Sequence, residues 1–215
     1  MPRRPRRSLH PEMPALAHPT LARSTSAVRR FRVPLLAALP VILAAALVVT
    51  AAAQAATVRV RDGSVGFAYR VTLIPVNGTV NAVQSSDTTL DFAALRRTRT
   101  TVTVNLAALK TGIALRDEHA REALDARNFP NASFTLENFS GPERLPDGQA
   151  VQGDVTGTFT LRVVPRPLKA PVTLTRRGNS LNVQATFTVN PQAHGVNVKG
   201  GDTSTRVTVN LTLAP

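Results

Sequence analysis

An alternation of apolar and polar residues recurs along the chain from Thr57 onward and constrains its fold more than any other feature. In the clearest segment, Val102, Val104 and Leu106 are separated by single polar residues. The same period of two continues in segments 158–163, 182–189 and 207–213. Because successive side chains of a β-strand point to opposite faces, each segment has one apolar and one polar face. The sequence therefore predicts the strands of an all-β, antiparallel protein.

Shorter segments extend this pattern over the rest of the chain. Further strands are predicted at 57–61, 65–74, 79–83, 88–92, 132–139 and 171–176. Turns are predicted at Asn77-Gly78, Pro146-Asp147-Gly148, Gly178-Asn179 and Gly200-Gly201-Asp202. Eight to ten strands joined mostly by short turns form either a sandwich or a closed barrel, since both place the apolar faces inside. A barrel of about eight strands is wide enough to be filled by its own side chains or to hold one small ligand.

One segment departs from the alternation. Residues 117–127 are predicted to form a short helix, with Asp117 as its N-cap. Pro130 ends it, because the residue before a proline is pushed towards an extended conformation. A single helix in a β protein is expected to lie on or over the sheet.

The first 55 residues have the pattern of an export signal. Basic residues at 29–32 precede an apolar stretch at 33–50, and Ala53-Gln54-Ala55 follows as a small-residue cleavage site. We expect a signal peptide with a basic, disordered N-terminal extension over 1–55, cleavage before Ala56, and one domain over 56–215. The mature protein is then periplasmic or secreted. The alternative is an uncleaved membrane anchor, since the apolar stretch is close to the length that spans a bilayer.

Composition excludes several classes of protein. The chain has no Cys, so it has no disulfides, thiolate metal sites or acylated cysteine. Eight of its 26 Lys and Arg residues precede Val33, so about half of the formal charge of +13 belongs to the N-terminus. The remaining cations are scattered without interleaved aromatics, and nucleic-acid binding is not expected. One Tyr and no Trp cannot build the aromatic girdles of an outer-membrane barrel, which favours a water-soluble product.

Catalysis is not expected from the residue types present. The chain lacks a nucleophile elbow, a P-loop and a zinc-protease helix, and residues 56–215 retain only His119 and His194. On a helix, Asp117 and His119 are two positions apart and point to different sides, so no metal site is predicted. No cofactor is expected.

Arg116, Asp117 and His119 form the densest polar cluster, at the point where a strand passes into the predicted helix. In the structural interpretation, Asp117 caps the helix and Arg116 braces it against the sheet. In the functional interpretation, the three residues line the mouth of a cavity and contact a polar head group. The sequence leaves both open.

At this point the chain resembles the YceI-like family of polyisoprenoid- and lipid-binding proteins. The matching residues are Thr111-Gly112, Arg116-Asp117, His119, Phe129-Pro130 and Phe134, then 157–161, Arg166-Pro167 and Pro171-Val172, with Ser64, Phe67 and Asn77-Gly78 near the start. Together they span nearly the whole mature chain. The departures are Val163 in place of a usual Gly, Pro165 in place of Thr, Val76 in place of Phe, and His194 in place of an aromatic residue.

The resemblance implies a lipocalin-like antiparallel barrel of about eight strands, with one helix against it, that holds a polyisoprenoid or other long-chain lipid for carriage or storage. The implied ligand-binding residues are Phe67, Tyr69, Val102, Val104, Phe134, Leu136, Phe159, Leu161, Phe187, Val207 and Val209, with Arg116, Asp117 and His119 at the mouth. Each of the eleven lining residues could instead pack a filled core, which would suit a non-enzymatic stress-response or interaction module. The membrane is expected only as a transient source of lipid, and whether two copies form a homodimer stays open.

Overall fold

The computed structural model describes residues 55–215. The predicted signal segment, apart from Ala55, lies outside the described residues, together with its anchor alternative. Within the described part, no helix has both the length and the apolar character needed to cross a membrane.

Ten strands form one antiparallel sheet. They are β1 (Ala56–Val71), β2 (Ile74–Val80), β3 (Val83–Ser85), β4 (Thr88–Leu90), β5 (Thr100–Asn105), β6 (Asn131–Ser140), β7 (Ala150–Leu161), β8 (Val164–Arg177), β9 (Ser180–Val189) and β10 (Thr205–Ala214). One α-helix of the described residues, α1 (Ala114–Ala123), lies between β5 and β6, and short 3-10 helices occupy Leu95–Arg97, Leu106–Ala108 and Pro191–His194.

The sheet curls into a nearly closed barrel. Its strand order is β2-β1-β10-β9-β8-β7-β6-β5-β3, and β4 pairs separately with the start of β1. The two edges meet at a seam between β1–β2 and β3–β5. There the Val60 amide donates to Ser85 Oγ at 3.0 Å, and Thr79 and Lys110 exchange two backbone hydrogen bonds of 2.8 and 2.9 Å. This architecture confirms the predicted fold class.

The loops divide between two ends of the barrel. The mouth end carries the β1–β2 and β7–β8 hairpins, α1 and the segment 190–204. Contacts join these loops: the Thr72 amide donates to the Gly200 carbonyl at 2.5 Å, and Arg162 lies 3.8 Å from the Asp125 carboxylate. The far end carries the β8–β9 hairpin and the loop 141–149.

The largest cluster of buried side chains closes the far end. It includes Val58, Leu90, Leu95, Phe139 and Leu145, all less than 7% exposed. A smaller cluster of Leu106, Ala126, Ala132, Leu161 and Val196 lies beneath the mouth-end loops. The apolar faces predicted from the alternation therefore point inward, but their packing is dense mainly at the far end.

The prediction of a turn at Asn77-Gly78 is wrong. These residues lie inside β2, where Gly78 pairs with Phe67, and the chain reverses instead at Thr72-Leu73. A Cβ at position 78 would collide with the Phe67 ring and would lie 2.8 Å from the Lys110 carbonyl oxygen. The glycine is therefore required for close packing within the sheet and not for a reversal of the chain.

The helix also differs from its predicted bounds. It begins at Ala114 with Ile113 as its N-cap, so Asp117 is in the first turn and is not the cap. It ends at Ala123 because Asp125 adopts a left-handed φ of 52°. The Ala126 and Asp125 amides then donate to the Arg121 and Glu122 carbonyls, both at 2.9 Å, which completes a Schellman motif.

Candidate functional site

A cavity of about 590 Å³ occupies the interior of the barrel. It extends from the buried cluster at the far end to α1 at the mouth end, and nearly every strand contributes to its wall. Its volume is within the range of cavities that hold small-molecule ligands, about 300–1,000 Å³. The interior is therefore not filled by the side chains of the barrel.

Thirteen of the fourteen predicted site residues line this cavity. They are Phe67, Tyr69, Val102, Val104, Arg116, His119, Phe134, Leu136, Phe159, Leu161, Phe187, Val207 and Val209. Inward-facing residues such as Phe67, Val104 and Phe159 are only half-buried, because they border open space and not other side chains. Their role in binding a ligand stays a prediction.

Alternation in neighbouring strands could have added further lining residues. Val183 and Ala185 of β9 point inward beside Phe187 and also line the cavity. Leu95 and Leu109 do so as well, but they come from irregular segments in which no sequence period marks the inward face. The signal for the first pair was present in the sequence, whereas the second pair could be placed only by the folded chain.

One face of α1 forms the polar rim of the cavity. Arg116, His119, Ala120 and Ala123 all line it, because residues three, four and seven positions apart share one helix face. Arg116 is half-buried and makes no hydrogen bond or ion pair within residues 55–215, so its guanidinium has donors to spare. The helix thus brings a cation and an imidazole to the mouth of an apolar bore.

Tyr69 adds a hydroxyl near the same end of the cavity. Burial, followed by the nearby Asp202 carboxylate, raises the pKa of Tyr69 above its ordinary value. The phenol therefore stays neutral around pH 7, where it can donate or accept a hydrogen bond.

Asp117 is the one predicted site residue that does not line the cavity. It is 5% exposed, and its carboxylate accepts hydrogen bonds from the Thr111 hydroxyl at 2.7 Å and the Thr111 amide at 2.5 Å. These bonds, together with Lys110 at 3.8 Å and Arg121, hold the pKa of Asp117 below its ordinary value, although burial opposes them. Asp117 therefore ties α1 to the segment that precedes it.

Threonine hydroxyls lie towards the far end of the cavity. Thr88 Oγ1 is 2.7 Å from Thr100 Oγ1 and 3.0 Å from the Ser86 carbonyl, so this pair is satisfied. Thr98 Oγ1 is buried and has no hydrogen-bond partner in the described part of the chain. A buried hydroxyl without a partner costs stability, and this oxygen has almost no surface accessible from the cavity.

His194 lies in the segment 190–204 and is buried. It ends the 3-10 helix Pro191–His194, is 3% exposed, and has Nδ1 2.8 Å from the Val164 carbonyl oxygen. Its ring meets Phe159 edge-on, with 5.1 Å between the ring centres. The imidazole therefore packs as an aromatic ring behind the cavity wall. No group of three or more His, Asp or Glu side chains within 55–215 is arranged to hold a metal ion.

The fold and the cavity define a class of protein: an antiparallel barrel with an apolar bore that is bordered at one end by a short helix. The model of the YceI-like domain matches residues 56–214, and the chain belongs to that family. This match confirms the resemblance seen in the sequence.

Solved structures with the same fold share little sequence with this chain. BcnA of Burkholderia cenocepacia has a TM-score of 0.60 at 16% identity, over 70% of this chain and 95% of that one. A polyisoprenoid-binding domain from Saccharophagus degradans has a TM-score of 0.59 at 16% identity, over 74% and 99%. The YceI protein of Campylobacter jejuni has a TM-score of 0.52 at 14% identity, over 66% and 86%. No curated protein matches the sequence.

Proposed function

We propose that this protein is exported, binds a polyisoprenoid or another long-chain lipid inside its barrel, and carries or stores it. The observation that carries the proposal is the apolar cavity of about 590 Å³, since a filled interaction module would not need one. Export is inferred from the basic, apolar and small-residue pattern of segment 1–55. The polyisoprenoid-binding domain from Saccharophagus degradans, which has the same fold, supports this class of ligand.

The hydrophobic effect accounts for affinity without any catalytic group. Each CH₂ moved from water into an apolar bore contributes about 0.8 kcal/mol, so a dozen carbons contribute roughly 10 kcal/mol before the cost of ordering the chain. The side chains of Phe67 and Phe159, which are half-buried in the barrel, add to the binding free energy because a bound lipid also removes them from contact with water. The protein acts by binding and not as an enzyme.

The polar end of the lipid lies at α1 in this proposal. The free guanidinium of Arg116 suits an anionic or carbonyl head group, and the exposed His119 adds a second donor or acceptor on the same helix face. The hydrocarbon chain then extends towards Thr98 and the buried cluster at the far end. The cavity thus fits an amphipathic ligand that enters with its apolar end first.

Organic-solvent extraction of the purified full chain, followed by lipid mass spectrometry, tests the proposal. We expect a chain lipid to co-purify from the native host in a near-stoichiometric amount. Protein that folds but yields no chain lipid, and takes up none when lipid is offered, would contradict the proposal.

Replacing Val104 by Trp tests the location of the lipid. Val104 lies on β5 with its side chain on the cavity, so an indole there fills space that the lipid needs. We expect the variant to remain folded and to retain less than about a tenth of the wild-type lipid, a loss of roughly 1.4 kcal/mol or more in binding free energy. Thr135→Trp on the exposed outer face of β6 is the matched control and should bind lipid normally. Equal uptake by both variants would place the lipid elsewhere.

A further inference from the structure

All the large hydrophobic side chains that are strongly exposed in residues 55–215 lie at one end of the barrel. They are Leu73, Ile74, Ile113, Leu115 and Val163. Leu73 and Ile74 form the tip of the β1–β2 hairpin, Val163 forms the tip of the β7–β8 hairpin, and Ile113 and Leu115 begin α1. Single exposed apolar residues are common, but five on three neighbouring loops at the cavity mouth form a pattern.

The β7–β8 tip keeps its apolar residue at a cost in stability. Arg162 and Val163 both have a positive φ, of 49° and 57°, in a two-residue hairpin loop that favours Asn-Gly. Val163 is nevertheless 70% exposed, so packing within the described chain does not explain its choice. A strained conformation with no structural compensation points to a role at the surface.

Basic residues lie beside each of the three loops that carry the exposed apolar side chains. Arg70 and Lys199 are exposed beside the β1–β2 tip, where Gly200 bonds Thr72. Arg166 is exposed near Val163, with its Nε 3.1 Å from the Ala193 carbonyl. Lys110 precedes Ile113 and has an exposed side chain 3.8 Å from Asp117.

Acidic residues at this end are fewer and partly neutralised. Asp117 and Asp125 lie within 3.8 Å of Lys110 and Arg162, respectively. Glu118, Glu122 and Asp202 are exposed, and Arg70, Arg116, Arg166 and Lys199 make no ion pair in the described part. The mouth end is therefore apolar at its tips and positive around them.

We infer that the mouth end docks on an anionic lipid bilayer, with Leu73, Ile74, Ile113, Leu115 and Val163 inserted between the head groups. Apolar tips surrounded by basic residues are the arrangement that binds reversibly to anionic membranes, because burial of apolar side chains and attraction of Lys and Arg to the anionic head groups act together. This docking places α1 and the cavity opening against the bilayer, so a lipid passes between them without crossing water. The transfer of lipid during docking rests on the proposed function, whereas the binding of this surface to a membrane does not.

The chain contains no Trp, which allows one tryptophan to report on each end of the barrel. Leu73→Trp labels the mouth end, and Asn179→Trp labels the β8–β9 tip at the far end. Both variants of the full chain are mixed with phosphatidylglycerol vesicles that contain brominated lipid. We expect the Leu73→Trp emission to shift to the blue and to be quenched, and the Asn179→Trp emission to stay unchanged. Any binding by the N-terminal segment is common to both variants and does not distinguish the two ends.

A double variant, Leu73→Ser with Val163→Ser, measures the contribution of the tips. We expect at least about a tenfold loss of vesicle binding, together with a slower transfer of lipid, while lipid offered in detergent still fills the bore. Wild-type binding should also fall as salt increases and on neutral phosphatidylcholine vesicles.

Two results would overturn the inference: no shift at Leu73→Trp, or an equal shift at Asn179→Trp. If docking fails while Val104→Trp still blocks uptake, the proposed lipid carrier survives without this surface. If docking succeeds while no lipid is recovered from the bore, the surface stands and the proposed function fails.

Discussion

At the scale of single residues, Val163 shows how a departure from the family pattern acts on the chain. It takes the place of a usual Gly and has a φ of 57°, a conformation that is costly for a β-branched residue. The comparison with the family pattern identifies this substitution but not its effect on the backbone. The sequence could not indicate that the β7–β8 turn keeps its backbone conformation and that Val163 is therefore held in a strained one.

Val163→Gly should therefore stabilise the protein. Relief of a left-handed valine is worth about 1–3 kcal/mol, from which the greater entropy of glycine in the unfolded chain subtracts up to about 1 kcal/mol. Urea unfolding should show a higher midpoint with an unchanged slope. Thr188→Gly, at an exposed position inside β9, is the control and should lower stability by about 0.5–1 kcal/mol. If both variants are destabilised, Val163 is not strained.

Other single residues could not be placed from the sequence. The Thr98 hydroxyl is buried without a hydrogen-bond partner in the described residues. His194 is buried because the Val164 carbonyl and the Phe159 ring contact it from segments distant in sequence. Residues that alternate within one strand, such as Val102 and Val104, were placed correctly on the inward face. The alternation within a strand predicts the face of the sheet to which a side chain points, whereas its depth of burial and its hydrogen-bond partners depend on contacts between strands.

At the scale of elements, the helix was predicted in the right part of the chain but three residues late. The N-cap preference suggested Asp117 as its start, yet Ile113 caps the helix without a side-chain hydrogen bond. A different hydrogen bond engages the Asp117 carboxylate in place of the capping bond: it accepts from Thr111, six residues earlier in the chain. Gly112 adopts a φ of 84°, which brings the two residues together. Propensity alone does not reveal such a return of the chain.

The Asp117–Thr111 interaction makes stability depend on pH. Because hydrogen bonds lower the pKa of Asp117 in the folded state, its contribution is present above the unfolded-state pKa and is lost as pH falls through the folded-state pKa. Unfolding by urea at pH 7 and at about pH 3 should therefore show a smaller pH-dependent loss for Asp117→Asn than for the wild type. Glu118→Gln, next along the helix, should retain the wild-type loss. Parallel curves for Asp117→Asn and wild type would contradict this role.

At the scale of the whole molecule, the barrel and the set of side chains that face its interior were predictable, because the alternation in each strand shows which of its two faces is apolar. The open volume was not. Val, Ala and Leu on the inward faces are compatible with a thin packed core as well as with a hollow, and strand order and curvature decide between them. The resemblance favoured a hollow, and the cavity of about 590 Å³ is a property of the assembled sheet.

A hollow barrel should gain stability from its ligand. A ligand at 100 times its dissociation constant adds about 2.7 kcal/mol, which for a domain of this size raises Tm by roughly 5–10 °C. Calorimetry before and after delipidation on a hydrophobic resin should show a Tm that is lower by this amount in the delipidated protein, and adding lipid back should restore it. Val104→Trp should show no such difference, and equal losses in both proteins would point to damage by the resin.

The seam between β1–β2 and β3–β5 gives the barrel one wall unlike the others. Apart from the three residue pairs of β3 with β5, ladders of six or more residue pairs join the neighbouring strands of the main sheet. At the seam, three residues of β4, the Val60–Ser85 bond and the Thr79–Lys110 pair make the connection. A longer or more branched guest will therefore stretch the circumference along this line first, since few hydrogen bonds must lengthen there. We therefore expect the barrel to accommodate guests of different bulk by widening on this one side.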